Sequence, residues 1–75
     1  MTPAALDTVA TLLHGTRWKL ALAGALEVDY RLVRRWAAGE RPIPGWVEPA
    51  LRIDLADRVA EIRKFLAQPE PTTEQ

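Results

Sequence analysis

The sequence predicts an all-α protein, a compact four-helix domain with helices over about residues 3–14, 16–26, 29–38 and 46–67. Three observations point there. Apolar residues recur at three- and four-residue spacing, no stretch alternates with the period of two that a half-buried strand needs, and glycines or prolines punctuate the periodic runs.

The first helix opens on Thr2-Pro3, a capping hydroxyl followed by a proline at the first helical position. Ala5, Leu6, Val9, Leu12 and Leu13 then share one apolar face, and Gly15 is a natural stop. Thr16 is placed to cap a second helix running through Leu26, with Leu20, Leu22, Ala23 and Leu26 inward. Gly24 inside that helix costs about 1 kcal/mol relative to alanine, which points to a neighbouring backbone passing close by. Glu27-Val28 forms a short turn and Asp29 caps the third helix, whose Val33 and Trp36 share a face before Gly39 ends it. Pro42 and Pro44 keep residues 40–45 a loop. Leu51, Leu55, Val59, Ile62, Phe65 and Leu66 mark a long fourth helix; Pro49 lies near its start, so it begins at 48–49, or earlier with a kink. Residues 68–75 (QPEPTTEQ) offer almost nothing apolar to bury and are expected to form a disordered tail beyond a domain of residues 1–67.

A single domain of 75 residues is marginal on core burial alone. Small domains are commonly helped by disulfides, a metal or a partner subunit. The chain has no cysteine, and His14 is its only histidine, which leaves a partner subunit as the expected helper. Serine and asparagine are also missing, and the four glycines stand singly rather than in a phosphate-binding loop. Neither enzymatic activity nor a metal or cofactor is expected. There is no basic-then-apolar leader and no apolar run long enough to span a membrane, and a cysteine-free chain suits the cytoplasm.

Net charge is zero, but it is unevenly spread. Residues 17–41 hold six cations (Arg17, Lys19, Arg31, Arg34, Arg35, Arg41) against three anions, while both flanks are net acidic. The middle of the chain is suited to phosphate and its ends are not.

Within residues 20–44 the pattern sharpens. Two crossed helices need a small residue at the crossing, an apolar residue in the turn and apolar anchors under the second helix. Ala23, Val28, Val33 and Trp36 supply these, leaving Tyr30, Arg31, Arg34 and Arg35 on the other face of the third helix. With Leu22, Leu26 and the Gly39–Pro44 run (GERPIP), this segment resembles the Cro/repressor-type helix-turn-helix family, especially small phage and prophage regulators. Trp36 with Gly39 and the preceding GTRW (Gly15–Trp18) add to the likeness, which covers about residues 15–45. The family often has glycine in the turn where this chain has Glu27, and a left-handed Glu27 would cost roughly 1–2 kcal/mol.

The resemblance implies a transcriptional repressor binding double-stranded DNA in the cytoplasm and nucleoid of a bacterial host, with the helix at about 29–38 in the major groove. Tyr30, Arg31, Arg34, Arg35 and Asp29 are then the candidates for base contacts, and Thr16, Arg17, Lys19 and Arg41 for phosphate contacts. Arginine reads guanine and no Asn or Gln lies on that helix, so guanine-dependent half-sites are expected. Autoregulation, or control of a neighbouring gene as in anti-CRISPR-associated regulators, is typical of such proteins; no small-molecule effector is evident. A homodimer on a palindromic operator is expected, joined through Val59, Ile62, Phe65 and Leu66, with half-sites one turn (about 34 Å) apart.

Plainer readings compete. The fourth helix can pack wholly on the other three, and Trp18, Trp36 and Trp46 read as core or interface residues. His14 reads as a partner for the helix dipole or a surface residue, and Asp54–Arg58 as a weak one-turn pair. Zero net charge and acidic flanks also suit a protein-binding module, such as a phage-encoded inhibitor or adaptor reusing the same fold.

Overall fold

The computed structural model describes residues 1–71 and consists of four α-helices: α1 (Pro3–His14), α2 (Trp18–Leu26), α3 (Tyr30–Ala38) and α4 (Val47–Leu66). No strand occurs among the described residues. The start of α1 follows its sequence signals, with Thr2 Oγ1 accepting from the Ala5 N–H at 3.0 Å and Pro3 in the first turn. At its end the Gly15 N–H reaches the Thr11 carbonyl at 2.8 Å.

The buried face of α1 is Leu6, Ala10 and Leu13, which a helix places within about 60° of one another. Leu12, expected inward, falls outside that arc and is exposed. Ala10 takes the central place because a side chain this small lets a neighbouring helix approach. α1 packs on α2, α3 and α4, and α2 packs on α3.

Three expectations for α2 need correction. The helix begins at Trp18 rather than 16: Thr16 lies in the preceding turn, and the cap position is Arg17, without a side-chain capping bond. Its buried residues are Trp18, Leu22 and Ala23, while Leu20 is 69% exposed. Almost every position of WKLALAGAL is apolar, so periodicity does not choose a face. The bulk of Trp18 does, turning Leu20 to the opposite side. Nor does Gly24 accommodate a close backbone, since a Cβ placed there would meet nothing within 4 Å.

Glu27 does adopt the left-handed conformation, at φ 57° and ψ 46°. The Val28 N–H bonds the Ala23 carbonyl at 3.0 Å and the Glu27 N–H bonds that of Gly24 at 3.3 Å, closing α2 with the six-to-one and five-to-two pattern of a Schellman motif. Gly39 (φ 76°) closes α3 the same way, with Glu40 N–H to the Arg35 carbonyl at 2.9 Å.

Residues 40–45 form the expected loop, which returns the chain so that Val47 and Leu51 enter the core. Trp46, half-exposed, meets Trp36 edge-on at 6.4 Å between ring centroids and 77° between planes. α4 starts at Val47, with Pro49 in the first turn, where a missing N–H costs no helical bond. Leu55 is partly buried, whereas Val59, Ile62, Phe65 and Leu66 are exposed, so α4 does not pack along its whole length on the other helices. Its far half extends from a body made by α1, α2, α3 and its own first half, giving overall extents of 56 × 22 × 21 Å. Residues 68–71 are exposed and lack regular structure. The rest of the expected tail, 72–75, lies outside the described residues. None of the described helices is long and apolar enough to cross a membrane.

Candidate nucleic-acid interface

Asp29 sets the start of α3. Its Oδ1 accepts from the Arg31 N–H at 2.7 Å, and the Arg31 guanidinium folds back on the carboxylate with Nε to Oδ1 and Nη2 to Oδ2 both at 3.4 Å. The backbone hydrogen bond from Arg31, then its side chain, hold the Asp29 carboxyl below the usual value of 3.8. Asp29 is therefore a cap and an ion-pair partner, and remains on the surface.

Along α3 the residues divide cleanly. Val33 and Trp36 are buried and Leu32 and Ala37 partly so, which fixes the inner face. Tyr30, Arg31, Arg34, Arg35 and Ala38 share the exposed arc, about 140° wide at 100° per residue. Arg34 lies over the Tyr30 ring at 5.8 Å from its centroid. Among the described residues neither Arg34 nor Arg35 is in a salt bridge, whereas Arg31 is paired with Asp29. A shallow concavity is lined by Arg31, Arg34, Arg35, Ala38 and Glu40. Ala38 keeps its floor low between the arginines.

The candidate phosphate residues are only partly brought to this surface. Lys19 joins Tyr30, Arg34, Ala37 and Ala38 around a second shallow depression, so α2 and α3 contribute to one basic surface. Lys19 Nζ also lies 5.2 Å from the Trp18 ring centroid, and the residue is half-buried. Thr16 and Arg17 are exposed in the turn before α2, and Arg41 is exposed in the loop after α3, its N–H directed to the Arg35 carbonyl at 3.4 Å.

Several supporting contacts had no signal in the sequence. Trp18 Nε1–H donates to Asp7 Oδ1 at 2.9 Å, fixing the first turn of α2 against α1. Arg58 does not pair with Asp54. Its Nη2 donates to the Leu13 carbonyl at 3.0 Å, tying α4 to the last turn of α1, and its Nε lies 4.0 Å from Glu61. A four-residue pair that α4 does carry is Glu48–Arg52, at 3.0 Å. His14 is half-buried in the last turn of α1, with a buried Nε2 that has no hydrogen-bond partner.

Among the described residues no group of three or more His, Cys, Asp or Glu side chains is placed to hold a metal ion. What the surface offers is two guanidinium groups outside any salt bridge among the described residues, one of them over the Tyr30 ring, and an ammonium, on a short, well-anchored helix pair. Comparison with protein-family models, with curated proteins and with solved structures finds no match to this chain.

Proposed function

We propose that this protein is a sequence-specific DNA-binding regulator of the helix-turn-helix type, a transcriptional repressor that lays the exposed arc of α3 in the major groove. The observation that supports this best is the state of Arg34 and Arg35. Both are exposed and, among the described residues, outside any salt bridge, on a helix whose opposite face is locked by Val33 and Trp36. A helix of this width fits the major groove, and a free guanidinium matches the O6 and N7 acceptors of guanine in bidentate fashion. Arg31, drawn back to Asp29, would exchange that carboxylate for a base or phosphate on docking. Lys19, beside Tyr30 and Arg34, is placed for the phosphates flanking the groove, with Thr16, Arg17 and Arg41 at the margins.

Selection of bound sequences from a random DNA pool tests the reading. Guanine-containing half-sites are expected to be enriched, with affinity falling as salt rises. Arg34→Ala and Arg35→Ala should each weaken specific binding by about 1–3 kcal/mol and relax the preference at one base position. If both variants select the same sequences as the native protein, α3 does not read DNA.

Zero net charge favours a second reading, a protein-binding module that uses the same helices. That reading requires the absence of DNA retardation at moderate salt.

A further inference from the structure

One carboxylate lies among the arginines of α3. Glu40 lines the same shallow concavity as Arg31, Arg34, Arg35 and Ala38. It is exposed, and among the described residues its side chain enters no salt bridge and no hydrogen bond. Its backbone is fixed, because the Glu40 N–H donates to the Arg35 carbonyl at 2.9 Å where α3 closes. The fold gains nothing from a negative charge there. The residue after the left-handed glycine of such a closure commonly rests an apolar side chain against the helix. The C-terminal end of a helix also disfavours an anion. What Glu40 contributes is an open acceptor beside three guanidinium groups, on a backbone tied to the helix that carries them.

We infer that Glu40 is a specificity-determining residue that accepts a hydrogen bond from the N4 amino group of a cytosine, so that G·C pairs are read through both bases. This role rests on the DNA-binding reading proposed above and adds cytosine to the bases read. Phosphate oxygens are acceptors only, and a carboxylate among the arginines repels them, so a surface made for backbone contact alone is better without it. The major-groove edge of a G·C pair presents two acceptors and then a donor: guanine N7 and O6, and cytosine N4–H. Guanidinium groups match the first two and a carboxylate matches the third. In an A·T pair the adenine amino group stands between adenine N7 and thymine O4, two acceptors that oppose a carboxylate. The cytosine amino group has an acceptor on one side only. With a guanidinium on guanine and the carboxylate on cytosine, the two side chains also offset each other's charge inside the groove. Ala38 adds only a methyl group to the floor between them, which leaves the base edge room to approach.

Selection from a random DNA pool, followed by titration of single sites, tests this with the full chain. Glu40 is exposed, so its substitution leaves the core untouched, which circular dichroism checks. The native protein should enrich a cytosine beside the guanines that depend on Arg34 and Arg35. In Glu40→Gln, whose amide suits adenine, the preference at that one position should move toward adenine while the guanine positions are retained. On the selected site, N4-methylcytosine in place of that cytosine puts a methyl group where the major-groove N4–H was. Native affinity should then fall about tenfold, and that of Glu40→Ala by about twofold or less. Equal losses in the native protein and Glu40→Ala overturn the inference. So does a Glu40→Gln that binds every sequence more tightly with its base preferences unchanged, which is the signature of plain phosphate repulsion; in both cases DNA reading by α3 survives. A native protein that enriches no sequence removes the DNA-binding reading itself, and the role of Glu40 with it.

Discussion

Gly24 and Glu27 stand three residues apart, and each occupies a conformation better suited to the other's residue type. Gly24 lies inside α2 with open space where a Cβ would go, while Glu27 is the one non-glycine residue with positive φ among those described. Helical glycine gives up backbone entropy with no compensating contact here, and left-handed glutamate crowds its own carbonyl. Gly24→Ala should therefore raise stability by about 0.5–1 kcal/mol, read as a higher urea midpoint at unchanged m-value. A close backbone neighbour would have reversed the sign. The sequence shows that Gly24 is unusual for a helix, but not whether space or proximity explains it.

For elements, legibility depended on how much the side chains differ along a helix. In α3, Val33 and Trp36 alternate with arginines, so burial can choose only one face, and the expected inner and outer residues are the observed ones. In α2 nearly every side chain is apolar, the pattern is degenerate, and the face was set by the size of Trp18. The ends of α1 and α3 were readable because Thr2, Asp29, Gly15 and Gly39 act locally; Arg58 was not, because its acceptor is 45 residues away. Of the candidate site, the arc of α3 was readable, but the retraction of Arg31 onto Asp29 and the approach of Lys19 to Tyr30 depend on packing. The Asp29 cap also makes α3 acid-sensitive. Its carboxyl has a lowered pKa in the folded chain, so its contribution is full above 3.8 and is lost as pH falls through the lower folded value. Helicity should fall in that acidic window, and Asp29→Asn, which retains a capping acceptor but does not titrate, should show a shallower acid dependence by circular dichroism.

Among the described residues ten apolar side chains form the core, three from each of α1 and α2 and two from each of α3 and α4. That is a small core for a molecule of this length, and the apolar surface left on α4 is large beside it. If association supplies part of the missing burial, stability depends on protein concentration. The thermal midpoint of the native chain should rise by several degrees over about a hundredfold range of concentration, and that dependence should disappear in Ile62→Glu. A midpoint indifferent to concentration would mean that each chain stands alone.

The bond between Arg58 and the Leu13 carbonyl has one more implication. α1 touches both α2 and α3, so fastening α4 to its last turn couples the heading of the protruding half to the pose of the arginine-bearing helix. The side chain acts as a guy-rope: in Arg58→Ala, Val47, Leu51 and Leu55 alone would pin α4, and its far half would swing about that pivot.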